Sequence, residues 1–294
     1  MRAPVARRRV LAAPILAAPS LLSFRDARAT AGADAAGRLA ELEGRSGGRL
    51  GVAVLDTATG RRIGHRADER FPMCSTFKFL AVGFVLARVD RGQEGLDRRV
   101  TFTDRDLVTW SPVTQHRTGA AGMTIAELCE AALTLSDNTA GNLLLASFGG
   151  PAGLTAYARS LGDDVTRLDR FETALNEAIP GDPRDTTTPA AMLENLRRLV
   201  LGDALSGPSR EQLTAWLLAN RTGDKRLRAG VPKDWRVGDK TGSGDNGATN
   251  DIGVFWPPGR APIIVTAYLA ETPVPDEDRN AVLAEVGRIA AAGA

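Results

Sequence analysis

Ser75 and Lys78 are two residues of this sequence whose types and spacing could carry out chemistry. They lie three positions apart at the start of residues 75–88, a segment that is apolar on every side and is predicted to be a helix buried in a core. Residues three apart on a helix share a face, so the hydroxyl and the amine would lie side by side. A buried amine must find polar partners or lose its charge, and either outcome favours activation of a serine nucleophile. The free N–H groups at the start of the helix could stabilise an oxyanion.

The scarcity of lysine supports a special role for Lys78. The chain has thirty-three arginines but only four lysines, at positions 78, 225, 233 and 240. Where lysine is kept despite that bias, a site can require a compact amine that titrates or fits where a guanidinium would not. A serine followed three residues later by a lysine nevertheless occurs by chance in many proteins, so the pair alone does not identify a function.

Two further short motifs follow in order along the chain. Residues 136–138 (Ser-Asp-Asn) lie at a predicted turn between two helices, and residues 240–242 (Lys-Thr-Gly) end a predicted strand. Taken singly, the serine of the first motif could be a turn or cap residue, and the glycine of the second could serve a bend. Together with the serine and lysine pair, the motifs resemble the signature of class A β-lactamases and penicillin-binding proteins. The resemblance to class A β-lactamases extends from about residue 34 to residue 292.

One segment distinguishes class A β-lactamases from their relatives. Residues 167–176 (Arg-Leu-Asp-Arg-Phe-Glu-Thr-Ala-Leu-Asn) resemble the omega-loop motif of the family, in which Glu172 and Asn176 hold the hydrolytic water. A transpeptidase keeps its acyl-enzyme for an amine acceptor, whereas a β-lactamase gives it to water, so Glu172 decides between the two. The alternative for Glu172 is a solvated loop carboxylate. In the family, the counterparts of Arg170 and Asp185 pair across the neck of this loop, and a cis peptide bond often follows the glutamate.

The resemblance implies a role for each catalytic residue. Ser75 attacks the lactam carbonyl, whose oxygen lies between the backbone N–H groups of Ser75 and Ser243. Lys78 and Glu172 are alternative bases for this acylation, and both alternatives stay open. Ser136 relays a proton to the departing ring nitrogen. Glu172 then deprotonates the water that attacks the ester, a general-base step worth about 10²–10⁴ in rate.

The same resemblance assigns substrate binding to a second group of side chains. Arg226 would supply a guanidinium beside the substrate carboxylate, although it could equally be a surface arginine. Asn138 would hydrogen-bond the acylamino side chain of the substrate. Trp110 would form an aromatic wall at the entrance of the cleft, with core packing as the alternative. The residues implied in substrate binding are Asn138, Asn176, Lys240, Thr241, Gly242, Ser243, Arg226 and Trp110.

Hydrophobic periodicity predicts the scaffold that must position these residues. Strand patterns at both ends of the chain surround a helical middle, which predicts an α/β (α+β) fold with an inserted all-helical domain and a site in the cleft between them. The resemblance implies the two-part fold of serine β-lactamases and DD-peptidases, with a five-stranded antiparallel sheet flanked by helices. The predicted boundaries are 30–66 and 219–294 for the α/β domain and 67–218 for the helical domain, which includes the omega loop at about 167–185.

The N-terminus has the pattern of a secretory signal peptide. Arginines at residues 7–9 precede an apolar run over residues 10–24, and Ala27-Arg28-Ala29 resembles a cleavage site before Thr30. We therefore expect residues 1–29 to be removed on export to the periplasm or the medium, by either the general or the twin-arginine route. The apolar run is too short and too broken by proline to be a membrane anchor.

The rest of the composition excludes several classes of function. The formal net charge of +2 gives no indication of nucleic-acid binding. His65 and His116 are the only histidines, too few for a zinc site, and no metal or other cofactor is expected. Cys74 and Cys129 allow at most one disulfide and are expected to be buried free thiols. The expected partners are small β-lactam molecules, bound by a monomer.

Two other functions fit part of the pattern. A cell-wall D-Ala-D-Ala carboxypeptidase or transpeptidase shares the nucleophile but generally lacks the loop that carries Glu172. A β-lactam sensor becomes acylated and signals, but it needs a membrane-linked output segment, and we find none in the sequence. The leading hypothesis is therefore a class A serine β-lactamase that confers antibiotic resistance by hydrolysing penicillins and cephalosporins.

Overall fold

The computed structural model of the protein describes residues 22–293, with side chains described from residue 34. A π-helical stretch, Arg197–Leu201, directly follows the sixth helix. In chain order, the helices and strands are α1 (Leu22–Ser46), β1 (Arg49–Asp56), β2 (Arg62–His65), β3 (Phe71–Pro72), α2 (Phe77–Asp90), β4 (Arg99–Phe102), β5 (Gly119–Thr124), α3 (Ile125–Thr134), α4 (Asn138–Ser147), α5 (Gly150–Ser160), β6 (Thr186–Thr187), α6 (Pro189–Leu196), α7 (Gly207–Leu218), β7 (Arg236–Ser243), β8 (Thr249–Trp256), β9 (Ile263–Ala270) and α8 (Asp276–Gly293).

Strands from both ends of the chain form one antiparallel sheet of order β2-β1-β9-β8-β7. The N-terminal strand β1 pairs with the C-terminal strand β9, so that Val52 lies opposite Ala267. The turn at residues 57–60 joins β1 and β2 as a hairpin, as its Thr-Ala-Thr-Gly sequence predicts. The five-stranded antiparallel sheet of the two-part fold is therefore confirmed.

Helices cover both faces of this sheet because its strands are apolar on both sides. Ile263 and Val265 of β9 pack in one cluster with Leu39 of α1 and Val286 of α8. Ile264, which lies between them in sequence, belongs to the larger core that includes α2 and its neighbours. This alternation is the period of two that a strand imposes on its side chains. The sheet therefore separates two apolar cores, and the larger one supports the nucleophile helix.

Helices α3, α4, α5 and α7 pack around α2, which is buried along most of its length, as its apolar sequence predicts, whereas α6 packs against the sheet. A capping box starts α3: the Thr124 hydroxyl accepts the N–H of Glu127, and the Glu127 carboxylate accepts the N–H of Thr124. The sequence carries little signal for the β4–β5 hairpin or for α5, since β5 is mostly glycine and alanine and α5 begins with Gly-Pro. The domain boundaries drawn after residues 66 and 218 stay a prediction.

The predicted signal peptide lies largely outside the described residues. Its first twenty-one residues are not described, and the predicted cleavage site before Thr30 falls within α1. None of the helices of residues 22–293 combines the length and the apolarity needed to cross a bilayer.

Cys74 and Cys129 are both buried and free within the described part of the chain, as expected. Burial raises the pKa of both thiols far above the usual range. Both thiols are therefore protonated at neutral pH, and neither is an activated nucleophile.

Residues 167–185 form a long loop that is closed at its neck. Arg170 Nε donates to Asp185 Oδ2 at 2.6 Å, and Asp185 Oδ1 accepts the backbone N–H groups of Asp169 and Arg170 at 2.7 and 3.0 Å. The pairing implied by the resemblance is thus present. The peptide bond between Glu172 and Thr173 is cis. The loop directs Glu172 inward, toward α2.

Candidate active site

Ser75 lies in a short 3-10 turn, Cys74–Thr76, that leads into α2. The preceding residue, Cys74, has a φ of +44°, a left-handed conformation that residues other than glycine rarely adopt. Such conformations persist only where the surrounding structure holds them, and they concentrate at functional sites. The turn therefore presents Ser75 in a fixed position at the start of the helix.

Lys78 is fully buried, and its ammonium donates three hydrogen bonds. Its Nζ lies 2.7 Å from Ser75 Oγ, 2.7 Å from Asn138 Oδ1 and 2.5 Å from Glu172 Oε1. An ammonium has three donors, so every proton of the group is engaged. The spacing of three residues thus brings Ser75 and Lys78 into direct contact, as predicted.

Glu172 is held through both its carboxylate and its backbone. Oε1 accepts the Ser75 hydroxyl at 3.2 Å, and Oε2 accepts Asn176 Nδ2 at 2.6 Å. Asn142 of α4 accepts the Glu172 N–H at 2.8 Å and donates to the Glu172 carbonyl at 3.0 Å. Glu172 is only 5 % exposed, so the alternative of a solvated loop carboxylate is wrong.

The side-chain oxygen of Asn176 is a buried acceptor in the amide that contacts the Glu172 carboxylate. Its Oδ1 has no hydrogen-bond partner among the described residues. An unpaired buried acceptor costs free energy unless a small donor such as water binds to it. The amide therefore has one end committed to Glu172 and the other free for a ligand.

Lys240 and Ser136 form a second contact across the site. Lys240 Nζ donates to Ser136 Oγ at 2.9 Å and to the carbonyl oxygen of Thr241 at 2.7 Å. Lys240 is fully buried. This burial, with the nearby charge of Lys78 as the second cause, lowers the pKa of Lys240 well below the usual range for lysine. Lys240 therefore releases a proton more readily than an exposed lysine does.

Asp137 fixes the turn between α3 and α4 that carries Ser136. Its Oδ1 caps α4 by accepting the N–H of Ala140 at 2.8 Å, and it also accepts the hydroxyl of Thr114 at 2.8 Å. Ser136 itself has a φ of +58°. Asn138, two residues later, begins α4, and its amide oxygen accepts a hydrogen bond from Lys78. The turn therefore places Ser136 against Lys240 and Asn138 against Lys78.

Trp110 is 60 % exposed, so the alternative of core packing is wrong for this residue. Its Nε1 donates to the carbonyl of Leu135 at 3.0 Å, and its own carbonyl accepts the N–H of Asn138 at 2.9 Å. Both contacts attach Trp110 to the turn that carries Ser136. An exposed ring fixed beside the site is available to stack on a ligand.

Arg226 contacts the end of β7 and does not lie free in solvent. Its Nη2 donates to Ser243 Oγ at 2.7 Å, and its Nη1 donates to the carbonyls of Gly242 and Asn250 at 2.8 and 2.7 Å. Nε donates to Asn280 Oδ1 at 2.9 Å. Burial lowers the pKa of Arg226 from its ordinary value. A guanidinium whose hydrogen-bond partners are all neutral oxygens is well suited to attract an anion.

β7 runs directly beside the turn that carries Ser75. A Cβ at Gly242 would lie 2.8 Å from the carbonyl oxygen of Met73 and 3.2 Å from the nitrogen of Ser75. The close approach therefore requires glycine. It brings the backbone that leads to Ser243 next to the Ser75 N–H, where the oxyanion is expected.

The twelve predicted site residues lie in one region, between β7 and the helical part. Two residues that were not predicted also contact them: Asn142, which holds Glu172, and Thr222, whose hydroxyl lies 2.5 Å from that of Thr241. No spacing rule points to either residue, because each contacts a partner that is distant in sequence. Among the described residues, no cluster of His, Cys, Asp or Glu is arranged to hold a metal ion.

Known β-lactamases are similar to this chain over most of its length. A model of the β-lactamase enzyme family matches residues 34–293. β-Lactamase AST-1 of Nocardia asteroides is 55 % identical over 252 residues, which cover 86 % of this chain and 81 % of the relative. β-Lactamase L2 of Stenotrophomonas maltophilia is 52 % identical over 281 residues, which cover 95 % and 92 %. The solved structure of an ancestral class A β-lactamase is 70 % identical, has a TM-score of 0.86, and covers 87 % of this chain and 98 % of its own.

Replacement of Gly242 by alanine should separate β7 from the turn that carries Ser75. The added methyl group meets backbone atoms, which cannot rotate away, so we expect a loss of about 1–3 kcal/mol of stability, as for other overpacked sites. The fall in Tm by calorimetry measures this loss. Gly207→Ala is the matched control, because a Cβ at Gly207 meets no atom within 4 Å. An unchanged Tm for Gly242→Ala would contradict the close approach.

Proposed function

This chain belongs to the class A β-lactamases, which hydrolyse the β-lactam amide bond, and on that premise we propose that Ser75 forms the acyl-enzyme and Glu172 drives its hydrolysis. The contact that supports both roles is the buried triangle of Ser75, Lys78 and Glu172. It places a nucleophile, an amine and a carboxylate within hydrogen-bond distance of one another.

The proton of Ser75 can leave by two routes that reach the same state. In the first, the Ser75 hydroxyl donates directly to Glu172 Oε1, which it already contacts at 3.2 Å. In the second, Lys78 first passes a proton to Glu172 across 2.5 Å and then accepts the proton of Ser75. Both routes end with a neutral Glu172 beside a Lys78 ammonium. The two candidates for the acylation base therefore differ in the order of transfer and not in the outcome.

Charge that develops on the lactam oxygen is stabilised by the backbone. The oxyanion lies between the N–H groups of Ser75 and Ser243, which the approach of Gly242 brings close together. Ser136 gives its proton to the departing ring nitrogen. Lys240 then replaces that proton, because it already donates to Ser136 Oγ and has a lowered pKa.

The substrate carboxylate binds at the end of β7. Lys240 and Arg226 supply positive charge there, and the hydroxyls of Thr241 and Ser243 line the same place. Asn138 can still offer its second N–H to the acylamino side chain, since one N–H of its amide donates to the carbonyl of Thr109. The exposed ring of Trp110 stacks on the substrate at the entrance.

Deacylation requires Glu172 as a carboxylate, so Glu172 first releases to solvent the proton gained during acylation, and the neutral Lys240 amine takes one up from solvent. Glu172 Oε2 and Asn176 Oδ1 then hold the attacking water, since the amide between them is oriented by its bond to Glu172. General-base catalysis by Glu172 accelerates the attack, and the proton taken from the water passes to Ser75 Oγ as the ester bond breaks. This buried, oriented carboxylate favours a hydrolase over a transpeptidase, whose ester must survive until an amine arrives.

The protein acts outside the cytoplasm as a monomer without cofactor. The arginine-led apolar run of residues 1–29 supports export, with cleavage before Thr30. Its ligands are small β-lactams, and conversion of these antibiotics to inactive acids confers resistance.

Replacement of Glu172 by glutamine should trap the ester on Ser75. In this variant Lys78 can accept the serine proton only after it has released one of its own to solvent, so acylation slows but continues, whereas deacylation has no other base and slows more, by about 10²–10⁴. Mass spectrometry after addition of benzylpenicillin should show a stable adduct on Ser75. Glu177→Gln is the control, because Glu177 lies in the same loop but is exposed. Turnover by Glu172→Gln at the native rate would contradict the assigned role.

Replacement of Lys240 by arginine should extend activity to higher pH. The lowered pKa of Lys240 means that its ammonium is lost at a lower pH than the 10.5 of an ordinary lysine, and kcat/KM should fall as the pH rises through that value. Arginine stays charged, so the alkaline limb of the variant should move upward even if its maximum rate is lower. The exposed Lys225→Arg variant serves as the control. An alkaline limb that does not move would show that loss of the Lys240 ammonium does not cause the fall in kcat/KM at high pH.

A further inference from the structure

Thr222 lies beneath the proposed carboxylate site, in the segment between α7 and β7. Its hydroxyl oxygen is 2.5 Å from that of Thr241 and 2.8 Å from Asn220 Oδ1. A hydroxyl has one proton, so Thr222 can donate to only one of these two neighbours. The direction of that bond determines which way the proton of Thr241 points.

The amide of Asn220 is oriented by two independent contacts. Its Oδ1 accepts the backbone N–H of Thr222 at 3.0 Å, which only an oxygen can do. Its Nδ2 donates to Asp239 Oδ2 at 2.7 Å. Asn220 is 3 % exposed, so its amide has no freedom to turn. The atom that faces the Thr222 hydroxyl is therefore an acceptor.

Asp239, the acceptor for the Asn220 amide, has a second buried carboxyl as a neighbour, that of Asp251. Asp239 forms an ion pair with Arg228, which favours its charged form. Asp251 is fully buried, and burial together with the negative charge of Asp239 raises its pKa well above the usual range. Burial also raises the pKa of Asp239, and the adjacent Arg228 guanidinium acts against that rise. The contacts with Arg228 and with Asn220 Nδ2 fix Asp239 as the acceptor that holds the Asn220 amide in place.

The donor directions follow from these constraints. Thr222 donates to Asn220 Oδ1, because two oxygens without a proton between them would otherwise face each other at 2.8 Å. The contact of 2.5 Å between Thr222 and Thr241 must then use the proton of Thr241. In the free protein, the Thr241 hydroxyl therefore points its proton away from the substrate and turns a lone pair toward it.

We propose that Thr222 is a positioning residue that withholds the Thr241 proton from the substrate carboxylate and so sets how strongly the carboxylate is bound. For Thr241 to donate to the substrate, Thr222 must turn its own proton to Thr241 and leave Asn220 Oδ1 facing a bare oxygen. The loss of the hydrogen bond from Thr222 to Asn220 offsets part of the free energy gained from the new bond to the substrate. The proposal rests on the proposed function, since it assumes that the carboxylate binds beside Thr241.

Thr222→Val tests this proposal, because valine keeps the shape of threonine but cannot accept the Thr241 proton. Thr241 is then free to donate to the substrate. We expect the acylation constant, k2/Ks, for benzylpenicillin to rise roughly threefold to tenfold, the range of one gained hydrogen bond. The methyl ester of benzylpenicillin has no charge, and its constant should rise less than about twofold, because neutral hydrogen bonds are weaker. Rapid-quench mass spectrometry of the Ser75 adduct measures both constants.

Two controls separate this effect from damage to the fold. Thr222→Ser restores the hydroxyl and should return both constants to the native values. Thr214→Val changes a threonine on α7 that bonds only to its own helix, at the carbonyl of Arg210, and should change neither constant. A Thr222→Val variant that alters both substrates alike, or neither, would overturn the proposal. The acylation constant is measurable whether or not the ester is later hydrolysed, so failure of the hydrolase assignment would be seen separately, as a native adduct that persists.

Discussion

The ammonium of Lys78 lies in the interior of the protein, and burial of a charge is costly unless every donor is paired. Its three partners come from three different parts of the chain: Ser75 precedes α2, Asn138 begins α4, and Glu172 belongs to the long loop of residues 167–185. Each partner must be held in place for the charge to be tolerated. Three contacts hold these partners in place. Asp137 caps the start of α4, Asn142 binds the Glu172 backbone, and an ion pair closes the neck of the loop. Stability and chemistry therefore depend on the same contacts.

A second group of buried charges lies along β7 and β8. Lys240 and Arg226 have neutral oxygens as their hydrogen-bond partners, and this leaves positive potential at the end of the sheet. Burial raises the pKa of the nearby Asp239 and Asp251 carboxyls, which lessens the negative charge that they can set against it. The balance favours an anionic ligand beside Ser243. The polar contacts under the strand also fix the hydroxyls that the ligand meets.

Local spacing predicts much of this arrangement, and tertiary packing decides the rest. The contact between Ser75 and Lys78 follows from helix geometry, and the strands of the sheet follow from their apolar and β-branched runs. The burial of Glu172 does not follow from local sequence, because it depends on a partner ninety-four residues away; only the resemblance to a family indicated it. Asn142 and Thr222 gave no signal, since an asparagine within a helix and a threonine in a connecting segment are ordinary residues until their neighbours are known.

The acyl-enzyme of this protein should be short-lived, because the buried Glu172 carboxylate lies beside Ser75. A rapid-quench time course of the native protein with excess benzylpenicillin tests it directly, with intact-mass detection of the adduct and absorbance detection of ring opening. We expect an adduct on Ser75 that forms, reaches a steady level and disappears when the substrate is exhausted, after many equivalents have been opened. An adduct that stays at one equivalent while ring opening stops would identify a penicillin-binding protein or a sensor and would show that Glu172 does not drive hydrolysis of the ester.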